Sequence, residues 1–419
     1  MIRSVLVGLV LMLVPLPAAA TTARLAEIEA AIRDVGTHAA TILIDETGKG
    51  RADYDLLAGE WVEYEPHWHT GQTALGLIEA WRVTGEPEFL AAARRAGDWW
   101  ISTEFQPPHP LAGLVNAAHG DRLGDLINFT TVSDGTPGLF ALSRATGDQK
   151  YADTATRSGR WLFENTAVPG HPGLYYNIIE PETGELWTDR SPHHPDANPA
   201  SVTQVARPNI EGSLASDMCR HTGDQTWCDR FLAHARTVVD RQDANGLWMA
   251  FEPNDPDTGR VHPRFNVWNA EALLEAYALS RDPAFLEAAL KTGRAMARYQ
   301  DRWGGFAYDL NVDGTSRPGS ITGSATAFSG ILWLRLRDYG VGDEFDANID
   351  RSLAWLLANR FAADHPDPNL AGAILETRAR TVDGRVRLVV RDIAGAFGLR
   401  FLAMAWRDLQ GQDVNETLP

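Results

Sequence analysis

Two acidic residues stand close to the starts of predicted helices, and their residue type suits acid–base chemistry. Asp134 lies in the segment TVSDG at residues 131–135, and Glu211 lies 77 residues further along the chain. Two carboxyl groups that face one cavity can divide the work, because one can hold a proton while the other stays ionised. We therefore predict Asp134 as the general acid/base and Glu211 as a second catalytic carboxylate. The alternative is a simple helix cap, which applies equally to Glu271 and Asp392.

The densest group of functional side chains is the string EYEPHWH at residues 63–69. Histidine titrates close to neutral pH, so His67 is predicted as a catalytic proton shuttle, with Trp68 and His69 as substrate-binding residues. Together with His193 and His194 these histidines could instead bind a metal. Neither pair has the i, i+4 spacing of a helical HExxH site, so we predict no metal. We predict no cofactor either, because the sequence has no P-loop, no dinucleotide-binding glycine motif and no Gly-x-Ser-x-Gly elbow.

Tryptophan is abundant, with fourteen residues in the chain, and six of them fall in predicted loops or at their edges. An indole ring is rigid and amphipathic, so it can stack on the apolar face of a sugar. The alternative is that these rings only pack the loops against the helices. Besides Trp68, the tryptophans predicted to bind substrate are Trp61, Trp248, Trp268 and Trp303.

Four arginines occupy corresponding positions just before predicted helices: Arg207, Arg264, Arg317 and Arg391. In an acidic protein, guanidinium groups that converge on one mouth indicate a clamp for a carboxylate, sulfate or phosphate group. The alternative is ion pairing with the many aspartates and glutamates. We predict all four as substrate-binding residues.

The elements that must position these side chains are helices joined by a repeated turn. Glycine can end one helix in a left-handed conformation, and the acidic residue after it can cap the next. In the first four copies an aromatic residue follows three positions after the cap. The five turns are Thr84-Gly85-Glu86, Thr146-Gly147-Asp148, Thr222-Gly223-Asp224, Ser280-Arg281-Asp282 and Gly340-Val341-Gly342-Asp343.

Each turn separates two predicted helices, and an opening and a closing helix bring their number to twelve. Twelve helices in alternating pairs predict an all-α (α/α)6 toroid of six helical hairpins, with an open solenoid as the alternative. The predicted helices are 23–40, 73–83, 87–102, 136–145, 149–164, 209–220, 225–241, 269–279, 283–299, 324–338, 344–359 and 393–409.

Long loops enter the first helix of each pair, whereas the repeated turns are only a few residues long. Two of these loops are predicted to form β-hairpins, one pairing Leu174–Ile179 with Glu185–Thr188 and the other Thr377–Arg380 with Val386–Val390. Elaborated loops on one face of a rigid scaffold are where functional sites usually lie. We therefore predict the site on the loop face.

Composition and the N-terminus limit the possible partners and location. The 419 residues include 38 Lys and Arg against 55 Asp and Glu, and the net charge of −17 disfavours nucleic acid and anionic lipid. Arg3, an apolar run over 5–14 and Ala18-Ala19-Ala20 are typical of a signal peptide over residues 1–20. We predict a periplasmic or secreted protein with one domain over 21–419 and no membrane insertion after cleavage. Cys219 and Cys228 are predicted to form a disulfide in that oxidising compartment.

The repeated Thr-Gly-Asp hairpins, the aromatic residue after each cap and the string LIEAWRVTG at residues 77–85 resemble the six-hairpin glycosidase superfamily. That superfamily includes unsaturated glucuronyl and rhamnogalacturonyl hydrolases, polysaccharide lyases and sugar epimerases on an (α/α)6 toroid. The resemblance covers roughly residues 23–409. In the unsaturated uronyl hydrolases an aspartate protonates the double bond of the sugar while water adds, and the resemblance implies this role for Asp134.

These observations together predict an exported glycoside hydrolase that acts on an acidic, uronate-containing oligosaccharide or polysaccharide. A polysaccharide lyase or a sugar epimerase on the same scaffold is an alternative, and His67, His69 and His262 keep the epimerase open. A non-catalytic glycan-binding toroid is a further alternative. A hydrolase needs two carboxyls that face the cavity, a lyase needs a Tyr/His pair beside Arg, and a binding module would have aromatic residues alone. The sequence leaves the sugar, its linkage and the oligomeric state open.

Overall fold

Helices alternate between inner and outer positions along the chain. The computed structural model describes residues 18–120, 124–191, 199, 201–317, 319–380 and 385–415. Within those residues there are twelve α-helices, as predicted. They are α1 Ala18–His38, α2 Pro66–Thr84, α3 Pro87–Ile101, α4 Phe129–Thr146, α5 Lys150–Asn165, α6 Leu214–Thr222, α7 Gln225–Asp240, α8 Pro263–Ser280, α9 Pro283–Tyr299, α10 Gly323–Leu336, α11 Asp346–Ala358 and α12 Asp392–Leu409.

The repeated turns are formed by the residues that the sequence indicates. Gly85, Gly147 and Gly223 each follow a helix with φ near +70° (72°, 75° and 68°), a conformation that glycine adopts without strain. Asp224 and Asp282 then cap the next helix, and each accepts a hydrogen bond from the backbone N–H two residues on. The turns therefore reverse the chain between an inner helix and the outer helix that follows it.

The six inner helices form a closed ring. In order, α2, α4, α6, α8, α10 and α12 each pack on the next, directly or through the turn that precedes α6, and α12 packs on α2. The opening helix α1 packs against both α12 and α2, so the two ends of the chain meet. The architecture is the predicted (α/α)6 toroid, and not an open solenoid.

Short antiparallel strands tie the long loops to one another on one face of the ring. A five-stranded sheet has the order β2-β1-β11-β10-β9, and three two-stranded ladders pair β3 with β5, β4 with β6 and β7 with β8. The strands are β1 Asp53–Asp55, β2 Glu60–Val62, β3 Ile127–Asn128, β4 Tyr175–Tyr176, β5 Ile178–Ile179, β6 Ala206–Arg207, β7 Arg260–Val261, β8 Leu310–Asn311, β9 Ile321–Thr322, β10 Leu375–Arg380 and β11 Val386–Arg391. Several of them end directly before an inner helix, so they fix the loop residues at its N-terminus.

The two hairpin predictions have different outcomes. The pairing of 377–380 with 386–390 is confirmed, since β10 and β11 are antiparallel neighbours. The pairing of 174–179 with 185–188 is confirmed only at its tip, where Ile179 bridges Leu186 and the backbone N–H of Trp187 donates to the carbonyl of Ile178 at 3.0 Å. The strand β4 pairs instead with β6, later in the same loop, and β5 pairs with β3 of the preceding loop.

Three inner helices begin earlier than predicted. The helix α2 begins at Pro66 instead of Thr73, α4 at Phe129 instead of Thr136, and α8 at Pro263 instead of Asn269. The sequence pattern misses these first turns because they are buried on several sides and carry polar side chains, which leaves no apolar stripe. Several candidate site residues therefore lie on helices and not in loops: His67, Trp68, His69, Asp134, Arg264 and Trp268.

Three further sequence predictions concern the disulfide, membrane insertion, and the signal peptide and histidine pair. Cys219 and Cys228 are joined by a disulfide that links α6 to α7, with their Cα atoms 5.1 Å apart. Across the described ranges, no helix is both long enough and apolar enough to cross a bilayer. Most of the predicted signal peptide (residues 1–17), as well as His193 and His194, lie outside the described residues.

The helices α2 and α4 approach each other closely. Gly138 faces the carbonyl oxygen of Gly71, and a Cβ built on Gly138 would overlap that oxygen. A Cβ on Gly71 would likewise overlap the carbonyl of Gly135. The two backbones are therefore in direct contact, and there is no flexible side chain between them that could move aside.

We expect the substitution Gly138→Ala to lower the free energy of unfolding by about 1–3 kcal/mol, because the added methyl group forces α2 and α4 apart. The measurement is chemical denaturation followed by circular dichroism. Gly395→Ala on α12 is the matched control, since its Cβ would meet only a Leu43 methyl group at 3.2 Å. Equal stability of the two variants would contradict this account of the contact.

Candidate active site

A cavity of about 360 Å³ opens on the loop face, at the N-terminal ends of the inner helices. Charged and aromatic side chains alternate around its wall. Six of the residues predicted for the site line it: Trp68, Asp134, Arg207, Glu211, Arg264 and Trp268.

Asp134 and Glu211 come from two adjacent elements of the ring. Asp134 lies in the second turn of α4, and Glu211 opens the short 3-10 turn Glu211–Ser213 before α6. Gly212 in that turn has φ of 73°, and a Cβ on it would overlap the carbonyl oxygen of Ser133. Only glycine lets this turn press against α4, and the contact brings the two carboxyl groups to the same cavity.

The two carboxyl groups have different surroundings. Burial, followed by the negative charge of Glu211, raises the pKa of Asp134 well above its usual range, and Oδ1 of Asp134 has no hydrogen-bond partner among the described residues. Burial also raises the pKa of Glu211, but Nη2 of Arg207 lies 3.5 Å from its Oε1 and favours the ionised form. We infer that the pair holds its proton on Asp134 and its charge on Glu211.

A third carboxylate, Glu65, directly precedes α2 and is the centre of a buried ionic chain. Its oxygens accept hydrogen bonds from Nε1 of Trp68 at 2.8 Å and lie 2.5 Å from Nε2 of His119 and 3.6 Å from Nε2 of His69. His69 in turn contacts Oδ1 of Asp392 through Nδ1 at 2.7 Å. Burial opposes the charges in this chain, but the ion pairs prevail, so the pKa of Glu65 is lowered well below its usual range and the pKa of His69 is raised.

His67 does not face the cavity, and this corrects the prediction of a catalytic role. Its ring stacks on Trp99 with centroids 5.1 Å apart, on the side of α2 away from the cavity. Burial, with Lys49 nearby, lowers the pKa of His67 to about 4, so the ring is neutral at physiological pH. The helical start of α2 explains the difference, because neighbours in the sequence point in different directions around a helix. His69 also lies behind the cavity wall, where it supports Glu65.

Three of the predicted stacking tryptophans lie elsewhere. Trp248 is fully buried in the core and donates its Nε1–H to the carbonyl of Val238 at 2.8 Å. Trp303 is 68% exposed at the protein surface, and Trp61 packs against Tyr54 in the five-stranded sheet. The sequence position of a tryptophan in a loop does not tell which way the ring turns, so these three predictions are corrected.

The four predicted arginines divide into two pairs. Arg207 and Arg264 line the cavity, and Arg264 is buried and held by Ser324 Oγ at 2.7 Å and by Glu376 at 3.2 Å. Arg317 is half-exposed, 3.9 Å from Asp309, and outside the cavity.

Arg391 is buried in an ion pair with Asp53, directly opposite it across β1 and β11. Its guanidinium carbon lies 4.6 Å from the centre of the Tyr64 ring, which lines the cavity. Arg391 therefore positions Tyr64 and does not itself face the cavity.

Several cavity residues are absent from the predicted site, and most of them lie in loops or short strands without a sequence pattern. Two had a signal: Tyr64 lies in the string EYEPHWH, and His262 was named as a histidine that an epimerase could use. Nδ1 of His262 accepts the backbone N–H of Phe265 at 3.2 Å, so the neutral ring carries its proton on Nε2. Burial, with Arg264 nearby, lowers the pKa of His262 well below its usual range. The others are His119, Asn128, Asn177, Glu252, Arg260, Phe265 and Tyr308.

With respect to metals, no group of three or more His, Cys, Asp and Glu side chains within the described ranges is arranged to hold an ion. The cavity instead combines three guanidinium groups with carboxyl groups in contrasting environments. Such a site can move protons and bind an anionic group, using side chains alone.

Known structures are similar to this one over nearly the whole chain. An unsaturated glucuronyl hydrolase specific for heparin aligns with a TM-score of 0.67 at 13% identity, over 93% of this chain and 100% of its own. A cellobiose 2-epimerase from Bacillus thermoamylovorans aligns with a TM-score of 0.69 at 11% identity, over 91% and 99%. A possible member of the GH105 family from Klebsiella pneumoniae gives 0.57 at 14%, over 97% and 100%.

The sequence itself matches no protein-family model and no curated protein. The structural likeness settles the fold. It is an (α/α)6 toroid, the fold that the resemblance in the sequence implied. Identities this low carry no activity from one protein to another, so the function must be argued from the cavity.

The chain Glu65–His69–Asp392 makes folding stability depend on pH. The raised pKa of His69 means that its stabilising charge is fully present below the unfolded value of 6.5 and is lost as pH rises through the higher folded value. We expect the difference in melting temperature between the wild type and His69→Gln to be largest near about pH 6 and to shrink towards about pH 9.

The control for this prediction is His38→Gln. His38 is buried away from the site, and burial lowers its pKa to about 4, so it is neutral across that range. The melting difference of this variant should not change with pH. If His69→Gln behaves like the control, His69 is not charged in the folded protein.

Proposed function

We propose that this protein is an exported carbohydrate-active enzyme, a glycoside hydrolase that acts on acidic oligosaccharides carrying an unsaturated uronate. One observation carries the proposal: Asp134 and Glu211 face one cavity, and Glu211 lies 3.5 Å from Arg207, which favours Asp134 as the proton donor and Glu211 as the acceptor. The structural likeness to a glucuronyl hydrolase and to a possible GH105 member supports the same chemistry. Export is supported by the signal-like N-terminus and the disulfide.

The proposed reaction adds water across the carbon–carbon double bond of the uronate. Asp134 donates its proton to one carbon of the bond, and a water molecule attacks the other carbon. Glu211 accepts the proton that this water loses, so the sugar gains one hydrogen and one hydroxyl group. The hydrated carbon is then a hemiketal, which opens to a ketone by breaking its bond to the ring oxygen. This leaves a hemiacetal at the anomeric carbon, which collapses to an aldehyde and releases the rest of the oligosaccharide as an alcohol. Because the two carboxyl groups are coupled, the proton can return from Glu211 to Asp134 and restore the starting state.

The cavity wall offers matched contacts for such a substrate. Arg207 and Arg260 can bind the uronate carboxylate, and the Nε2–H of His262 is a neutral donor beside them. Trp68 and Trp268 meet edge to face with ring centroids 5.5 Å apart, which gives the cavity an aromatic wall for a sugar ring.

A polysaccharide lyase is the second candidate, and one observation favours it. His262 and Tyr308 line the same cavity as Arg264, so a Tyr/His pair lies beside an arginine. In that reaction a base would remove the C5 proton while the arginine neutralises the uronate. The two candidates predict opposite changes in the number of conjugated double bonds.

The test follows the ultraviolet absorbance of the conjugated double bond during incubation with uronate polysaccharides and with their unsaturated oligosaccharides. We expect absorbance to fall with the unsaturated oligosaccharides, and Asp134→Asn to slow that loss by about 10²–10⁴-fold. Asp257→Asn, in an exposed loop of the same chain, is the control for a change of one carboxyl group. A rise in absorbance with the polysaccharides would establish the lyase instead. No change with either class would contradict both candidates and leave the epimerase or a binding module.

A further inference from the structure

A second chamber lies on the axis of the toroid, at the end opposite the candidate active site. It is formed by the C-terminal halves of the inner helices and has a volume of about 170 Å³. Trp268 lines both chambers and forms part of the wall between them. Nothing in the proposed hydrolase mechanism uses this second chamber.

Arginine dominates the wall of this chamber. Among the described residues that line it, four carboxylates accompany six guanidinium groups, a surplus of two positive charges in a protein of net charge −17. The carboxylates are Glu79, Asp217, Glu271 and Glu275. The arginines are Arg82, Arg144, Arg220, Arg335, Arg400 and Arg407.

The surplus arises because each carboxylate is shared by two arginines. Glu271 bridges Arg400 at 2.7 Å and Arg335 at 3.4 Å. Glu275 bridges Arg335 at 2.6 Å and Arg220 at 2.5 Å. Asp217 extends this chain of ion pairs, because it lies 3.5 Å from Arg220 and 3.9 Å from Arg144. The chain of alternating charges therefore has an arginine at each end, Arg400 and Arg144.

A second group of ion pairs in the chamber is shorter. Glu79 is shared by Arg82 at 2.8 Å and Arg407 at 3.1 Å. Arg407 is only 8% exposed, and its buried Nε has no hydrogen-bond partner among the described residues. A buried guanidinium N–H without an acceptor is costly, and an anion in the chamber would satisfy it.

Arg144 marks the open side of the chamber. Its guanidinium is one-third exposed and lies 3.9 Å from Asp217, which is its nearest carboxylate partner and beyond hydrogen-bond distance. The Arg144 side chain is therefore only weakly held, and an anion that enters from the turn side of the toroid would meet it first.

We propose that this chamber is a binding site for a small oxyanion, such as phosphate or sulfate. Guanidinium groups are well suited to bind such ions, because their planar N–H groups make paired, charge-assisted hydrogen bonds to oxygen. All of the charged side chains of the site lie on inner helices, whereas Gly212, Ser213, Val414 and Asn415 complete its wall.

The side chain of Gln72 connects the chamber to the candidate active site through two polar contacts. Nε2 of Gln72 donates to the backbone carbonyl of Asp134, and Oε1 of Gln72 lies 3.5 Å from Nη1 of Arg400. An ion that repositions Arg400 would therefore act on the backbone of Asp134 through a single intervening residue.

The test measures thermal stability during a titration with sodium phosphate, with sodium chloride at equal ionic strength as the reference. We expect the melting temperature to rise with phosphate and to saturate, because binding to the folded state alone stabilises it. The variant Arg144→Gln should weaken phosphate binding about tenfold, since it removes one charge-assisted contact. A wild-type protein that responds equally to phosphate and to chloride would overturn the proposal.

Three further variants locate the binding. Glu79→Gln removes a negative charge from the chamber and should tighten phosphate binding. The affinity for phosphate should therefore rise in Glu79→Gln and fall in Arg144→Gln. Arg294→Gln is the charge-matched control, because Arg294 pairs with Glu344 on the outer surface. Arg207→Gln tests the active-site cavity as the alternative location. If phosphate binding is lost in Arg207→Gln and retained in Arg144→Gln, the ion binds in the other cavity and the proposal is wrong.

Discussion

The direct contact between α2 and α4 is the constraint on which the site depends. Gly71, Gly135 and Gly138 bring the two backbones together without side chains between them. This approach sets Glu65 and Trp68, near the start of α2, on the same cavity as Asp134 in α4. A larger separation would widen the cavity and expose Asp134 to water, which would remove the burial that raises its pKa.

Burial also explains why the carboxyl groups of one cavity can differ so much. Asp134 has no cation close enough to outweigh its desolvation and its repulsion by Glu211, so it retains a proton. Glu65 is equally buried, but histidines contact it on two sides and keep it ionised. The difference comes from the partners and not from the depth of burial, and one cavity can therefore hold both an acid and an anion.

The sequence predicts the scaffold well because the scaffold repeats. A similar short turn recurs at five inner-to-outer reversals, and the glycines of the first three adopt a left-handed conformation that this residue tolerates well. In the fourth turn Arg281 adopts the same conformation, with φ of 58°. Asp134 and Glu211, chosen as acidic residues near predicted helix starts, do line one cavity on the loop face. Glu271, named by the same criterion, lines the chamber on the turn face instead. The residues that were mispredicted share a different property. His67, Trp248 and Arg391 have side chains whose direction depends on tertiary contacts, with Trp99, Val238 and Asp53 respectively. Sequence position sets where a residue lies along the chain but not which way its side chain turns.

The toroid has an axis that is too wide for apolar side chains to fill, and the two ends solve this in different ways. On the loop face the axis is open as a cavity, and the carboxyl groups that line it differ in their pKa values. On the turn face it is crossed by ion pairs in which every carboxylate serves two arginines. Trp268 lies between the two regions and packs edge to face against Trp68, Phe328 and Phe397. This aromatic layer separates a chamber of surplus positive charge from the carboxyl pair, and without it the arginines would lower the pKa of Asp134. The proton on Asp134 therefore depends on apolar packing behind the cavity as much as on the residues that line it.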